Sequence, residues 1–422
     1  MKILWITNIV FPEAQMLLTG EGSLTSSGGW MVSAAKEILN TPSVSLVVAA
    51  VSKNVDQLTR LVVGKCVYYI LPYGRGNEKI NTDYIPFWKE IDTIEKPDVV
   101  HIHGTEYSHG LAYLDACGSK NVVISIQGLL TECSVYYRAN LSVGAIVRNL
   151  TVHDLLVGGV LRRQKEFERR GGYEREMIGR VDHVIGRTYW DKSLVKSIHP
   201  GIHYYSCNET LRPEFYDGIW EYDRCIPHSI FVSQASIPLK GLHILLESLN
   251  LVRKEFPDVK VRIAGHDLTR KKSFQDLKRF TGYGRYIRRF LHRNNLTNTV
   301  SFLGPLNAEK MREEFLSANV FVLPSSIENS PNSLGEAQLL GVPCIASYVG
   351  GVPDMISDKS CGYLYRFEDY RMLACRICNV FQESSSFDNT EMRRVAYQRH
   401  SPEINRDTLF DIYLSIIKMV EK

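Results

Sequence analysis

Short, almost unbroken apolar runs recur along the chain, separated by longer stretches whose apolar positions fall three and four apart. KILWITNIV, VSLVVAAV, CVYYILP, DVVHIHG, VVISIQG and VDHVIGRT form a first series. Continuous apolar character predicts strands buried on both faces of a parallel sheet. The rhythm restarts at SIFVSQAS and continues through VKVRIAG, VSFLGP, VFVLPS, PCIASY and CGYLYR, with helical patterns such as GLHILLESLNLVRKEF between them. Two strand–helix series predict an α/β protein of two doubly wound, Rossmann-like domains. Residues 206–228 break the rhythm with Pro, Gly and polar residues and read as a linker. The expected division is 1–205, linker, and 229–403.

Composition changes this picture little. The 422 residues are 44% hydrophobic and 23% charged, enough for two cores. A net charge of +4 singles out no partner. No run approaches the ~18 apolar residues of a membrane span. The start, MKILWITNIVFPEAQ, reads as a buried strand rather than a signal peptide. Nine scattered cysteines point to a reducing, cytoplasmic setting. The pair Cys375 and Cys378 lies in an apolar helical pattern and is expected in a helix core.

Ligands of such folds bind beyond the carboxyl ends of strands, so the strand-end loops carry the candidate chemistry. After the first strand, Gly28 and Gly29 precede a helix, where bare backbone and free N–H groups suit an anion. A plain tight turn explains the same pair. No GxGxxG and no GxxxxGK[ST] occurs, which takes support from dehydrogenase and P-loop readings. After IFVSQAS, Lys240 stands at a helix start, placed to meet a phosphate or simply to be solvated. After VFVLPS comes SSIENSPNSLGEAQLLGVPCIASYVGGVPDMI, residues 325–356. Glu328 falls in its loop and Glu336 in the expected first helical turn, where the helix dipole alone would favour a carboxylate. Paired carboxylates also accept hydroxyl groups, which suits a sugar or a ribose.

Taken together, these motifs resemble a glycosyltransferase of the GT-B fold, in the large retaining family 4. The likeness covers nearly the whole chain and is strongest over 228–366, where the E-x7-E element follows a VLPS strand end and precedes GVPCIASYVGG. The resemblance implies two domains facing a central cleft, with a last helix, about 404–422, packing back on the first domain. It implies that Glu328 meets the transferred sugar and Glu336 the ribose. Asn329 and Ser330 would hold sugar or phosphate through their backbone. Lys240 would hold the diphosphate, with Gly28 and Gly29 beside it. It implies no cofactor beyond a UDP- or GDP-sugar as substrate. No D-x-D occurs, so no metal is assigned.

Two positions depart from the family pattern. Gln234 stands where the family usually has an arginine, and Arg187 is the candidate to supply the missing charge on the acceptor side. Gln127 stands where a histidine is frequent, which leaves His103 as the nearest titratable group for catalysis. Residues 141–176 carry Val143, Ile146, Val147, Leu150, Leu155, Leu156, Val160 and Leu161 at helical spacing, followed by Arg162, Arg163, Lys165, Arg169 and Arg170, diluted by Glu166 and Glu168. Residues 270–293 hold nine Lys/Arg against Asp276. Either stretch suits an anionic membrane face or a solvated helix. In the first domain the cluster suits a polyprenyl-linked saccharide acceptor at the inner face of the cytoplasmic membrane better than it suits nucleic acid. The readings that compete with transfer in surface-polysaccharide synthesis are an epimerase of similar fold, a donor-binding protein without activity, and a nucleic-acid-binding protein.

Overall fold

The computed structural model describes residues 1–20, 28–73, 82–271 and 273–420. The chain forms two compact units. The first comprises Met1–Thr131, Glu168–Leu211 and Arg399–Lys422; the second comprises Glu132–Phe167 and Arg212–Gln398.

The first unit is built on an eight-stranded sheet. Its strands are β1 (Lys2–Thr7), β2 (Ser45–Ser52), β3 (Thr59–Val63), β4 (Cys66–Pro72), β5 (Val99–His103), β6 (Val122–Ser125), β7 (His183–Gly186) and β8 (His203–Ser206). Their order is β3-β4-β2-β1-β5-β6-β7-β8. Every pair is parallel except β3–β4. The apolar runs of β1, β2 and β5 fill both faces. Leu4, Ile6, Val47, Val100 and Ile102 pack with Trp88 and Tyr113 on one side. Ile3, Trp5, Leu46 and Val48 pack with Met31, Ile38 and Tyr413 on the other. The helix Pro402–Val420 adds Leu409, Ile412, Tyr413 and Ile416 to that second face. Its Tyr413 hydroxyl accepts from Trp5 Nε1 at 3.0 Å and meets His101 Nδ1 at 2.6 Å.

The second unit holds a six-stranded, wholly parallel sheet: β9 (Ile226–Val232), β10 (Lys260–Ile263), β11 (Val300–Phe302), β12 (Ala318–Leu323), β13 (Cys344–Ser347) and β14 (Tyr363–Tyr365). Its order, β11-β10-β9-β12-β13-β14, is the doubly wound one, reversing between β9 and β12.

Three expectations are corrected. The stretch 132–167 sits with the second unit, not the first. It contains a short helix, Val143–Val147, and the backbone just after that helix is held by arginines. Arg289 Nη1 donates to Arg148 O at 3.1 Å and to Asn149 Oδ1 at 2.9 Å, and Arg285 Nη1 donates to Leu150 O at 2.5 Å. These arginines come from the basic stretch 270–293, so that stretch partly serves the fold rather than an external anion. Second, residues 206–228 are not a free linker. From Arg212 onward they belong to the second unit, with Trp220 donating through its backbone to Leu340 O and through its indole to Ala318 O. The return to the first unit begins at Arg399. Third, Cys375 and Cys378 lie on the helix Tyr370–Glu383, but Cys375 is exposed and Cys378 half-buried. All nine cysteines are free thiols.

Candidate active site

In the second unit, the loops after β9 and β12 leave the sheet on either side of its reversal, the place where such sheets bind ligands. The turn Pro238–Lys240 follows β9 and closes on Gly241, whose φ is 69°. A Cβ at Gly241 would lie 1.6 Å from Pro324 O, so only glycine lets the two loops meet backbone to backbone. Ser326 N donates to Leu239 O at 2.8 Å across the same junction. This contact brings Lys240 Nζ to 2.6 Å from Glu328 Oε1. The pair is partly shielded, with side chains 21% and 14% exposed. The Gly350–Gly351 pair downstream closes on Glu328 from its other side. Gly351 N donates to Glu328 O at 3.0 Å, and a Cβ at Gly350 would lie 2.0 Å from that oxygen. An ammonium has three donors, and Glu328 takes one.

Glu336 is held differently. Its helix spans Asn332–Leu340, so Glu336 is the fifth residue, in the second turn rather than the expected first. Helix-dipole complement therefore does not explain it. Arg212 clamps it with two bonds of 2.8 Å, Nε to Oε1 and Nη2 to Oε2. Burial pushes the Glu336 carboxyl above its ordinary value, and the guanidinium works against that shift. Both Glu336 oxygens are engaged, so a ribose hydroxyl would use their remaining lone pairs. Asn329 and Ser330 are buried, with Ser330 Oγ 3.7 Å from Met355 Sδ. Sequence reasoning missed Arg212 because it lies in the stretch read as a linker. The signal that could have found it is a buried glutamate's need for a cation.

Gln234 is exposed on the loop after β9. Arg187, the candidate for the charge that Gln234 lacks, is engaged within its own unit. It is buried in the first unit, 2.7 Å from Glu209 Oε1, and its Nη2 donates to Gln127 O at 2.8 Å. Its charge is matched internally.

The first unit brings His103, Gln127 and Arg187 to one open recess of about 550 Å³, lined also by Trp5, Trp30 and Glu209. His103 ends β5, Gln127 follows β6 and Arg187 follows β7, so these are neighbouring strand ends. The His103 ring stacks on His101 at 3.8 Å and meets Trp5 edge-on at 4.3 Å. Both its nitrogens are buried and have no hydrogen-bond partner among the described residues. Burial, with the adjacent His101, pushes the ring well below its ordinary value. His103 is therefore neutral and a weak base. This counts against the acid–base role expected for it and leaves it as a hydrogen-bonding group. Gly28 caps the helix Gly29–Leu39 of this unit.

A second group in this unit escaped sequence reasoning. Glu106 lies in the loop after β5, and Asn8, just after β1, donates to its Oε2 at 2.8 Å. Burial raises this carboxyl to about 7; nearby Glu174 adds to the shift, while Arg170 and Asn8 oppose it. The pair stands where the first sheet reverses its order.

Comparison with known proteins fits this geometry. Residues 226–383, most of the second unit, match the family described as "Glycosyl transferases group 1". The D-inositol 3-phosphate glycosyltransferase of Corynebacterium urealyticum is 25% identical over 193 residues, covering 44% of this chain and 42% of its own. That of Streptomyces coelicolor is 28% identical over 193 residues, covering 43% and 39%. The matched stretches thus span less than half of these relatives' length. Among solved structures, sucrose-phosphate synthase from Thermosynechococcus elongatus superposes with a TM-score of 0.70 at 16% identity, covering 99% of both chains. Anabaena HepE in complex with UDP-glucose gives 0.64 at 14%, covering 98% of this chain and 100% of its own. An S. aureus TarM variant in complex with fondaparinux, α-GlcNAc-glycerol and UDP gives 0.63 at 12%, covering 98% and 99%. The fold is GT-B, with two Rossmann-like α/β units.

Proposed function

We propose that the protein is a retaining glycosyltransferase of the family 4 type. It moves a sugar from a UDP- or GDP-sugar to a saccharide or polyprenyl-linked saccharide, on the cytoplasmic side, in surface-polysaccharide assembly. The observation that carries this reading is the Lys240–Glu328 pair at the reversal of the second sheet, inside the segment that matches the glycosyltransferase family. Breaking a sugar–phosphate bond develops negative charge on the diphosphate and oxocarbenium character on the sugar. Lys240 stabilises the first, and Glu328 holds the sugar and steadies the second. The transfer proceeds on one face, the leaving phosphate taking the proton of the acceptor hydroxyl. Neutral His103 is not required as a base.

Glu336 holds the ribose and Arg212 holds Glu336. Solved neighbours in complex with UDP or UDP-glucose favour UDP over GDP. The acceptor side takes an uncharged hydroxylated ring. Trp30 offers an aromatic face, His103 an unsatisfied neutral ring, and the charge of Arg187 is cancelled by Glu209.

The test is a thermal-shift screen against UDP, GDP, ADP and CMP with their common sugars, followed by a transfer assay. A ligand at a hundred times its Kd stabilises the fold by about 2.7 kcal/mol. A shift with one nucleotide that is lost in Glu336→Ala supports the donor assignment. No shift with any nucleotide overturns it. A shift without turnover of any donor reduces the protein to a donor-binding role.

A further inference from the structure

We infer that residues 143–165 form a docking surface for an anionic phospholipid bilayer. This rests partly on the proposed membrane-linked acceptor but stands on its own observations. Val143, Val147, Val152, Leu155, Leu156 and Val157 are all exposed, Leu155 and Leu156 to 72% and 76%. Exposed aliphatics are ordinarily scattered singly, and a contiguous group marks an interaction site.

The exposure is built, not loose. Inward positions of the same stretch are occupied: Ile146, Asn149, Thr151, Asp154 and Val160 are buried. Asp154 Oδ2 accepts from both Thr151 N and Thr151 Oγ1 at 2.7 Å. Arg285 and Arg289 hold the carbonyls on the preceding turn. The backbone is thus fixed in a way that turns the leucines outward.

Charge names the occupant. Arg148, Arg162, Arg163 and Lys165 are exposed around the apolar group, and the one acidic residue within 143–165, Asp154, is buried. Aliphatic side chains rimmed by cations match a bilayer interface with anionic headgroups. Among the described residues no helix is long and apolar enough to cross a membrane, so the contact is with one face of the bilayer.

The experiment is co-sedimentation of the full chain with phosphatidylcholine vesicles and with mixed phosphatidylcholine/phosphatidylglycerol vesicles, at low and physiological salt. Binding to the mixed vesicles, weakened by salt, is expected. Leu155→Ser/Leu156→Ser should lower partitioning on the order of tenfold or more. Arg162→Gln/Arg163→Gln should lower it roughly five-fold per charge and flatten the salt dependence. Both variants should keep the parent melting temperature and nucleotide-induced shift. That readout separates failure here from failure of the donor assignment. No sedimentation with mixed vesicles at low salt overturns the inference. So does undiminished binding of the double-serine variant, or self-association of the parent chain that this variant abolishes.

Discussion

Each of the two sheets reverses its strand order once, and the two reversals are furnished differently. In the second unit the reversal between β9 and β12 carries an ion pair, Lys240 with Glu328, partly open to solvent. In the first unit the reversal between β1 and β5 carries an amide and a carboxyl, Asn8 with Glu106, and the recess nearby holds neutral imidazole and an internally cancelled arginine. One fold plan thus supports a charged place, which the proposed function gives to a diphosphate, and an uncharged place, which it gives to acceptor hydroxyls. The family match, residues 226–383, lies wholly within the charged unit. That is expected if nucleotide-diphosphate chemistry is shared among relatives while acceptors differ.

The sharpest way to break this contrast is to unbalance the charged side. Arg212→Ala leaves Glu336 buried and unpaired and should cost about 3–5 kcal/mol, read as a large fall in melting temperature. A loss within error would show that Glu336 does not depend on its clamp. Next comes Lys240→Ala, expected to reduce turnover on the order of 10²–10³-fold with little change in melting temperature. Unchanged turnover would remove the diphosphate from this reversal altogether.

Glu106→Gln probes the neutral side. The folded carboxyl is raised to about 7, from an unfolded value near 4.3 (a rough reference). The folded state therefore holds a proton that the unfolded state has lost. This stabilisation is complete below the unfolded value and is lost as pH rises through about 7. The glutamine variant lacks that loss. Its stability relative to the parent should grow with pH, by up to about 3 kcal/mol above pH ~8. A flat difference between acid and alkaline melts would contradict a carboxyl buried in its acidic form.

The smallest effect is expected of Gln234→Arg. The side chain is exposed, so the substitution should leave stability unchanged and activity retained. A sharp drop in turnover would mean that the amide is engaged in a way charge cannot replace.

Much of the fold was legible because buried parallel strands write themselves as apolar runs. All six strands of the second sheet overlap runs read from sequence, although β9 and β12 begin before theirs. In the first sheet β3 and β8 went unread. β3 alternates exposed and half-exposed positions, and β8 is exposed at both its ends. Such edge strands carry little apolar signal. Lys240 and Glu328 were legible because each follows a strand end and sits among Gly, Pro and Ser. Arg212 was not, since its partner lies 124 residues away and Pro and Gly around it suggested a linker. Residues 132–167 were assigned to the wrong unit for the same reason. Local pattern shows an amphipathic helix, but only long-range bonds such as His243 Nε2 to Ala139 O show what it packs against. The basic stretch 270–293 looked like an anion-binding face because sequence cannot show that carbonyls already occupy its arginines.

The chain passes between the two units four times, at 131–132, 167–168, 211–212 and 398–399. The bond between Trp5 and Tyr413 joins residues 408 apart. During synthesis, Trp5 and His101 lack their partner until the helix Pro402–Val420 has been made. Closing so long a stretch of chain slows the completion of that part of the core. Loss of the helix Pro402–Val420 should thus strip Trp5 and His101 of their shared partner Tyr413 and shorten the lifetime of the whole protein, rather than trim a dispensable tail.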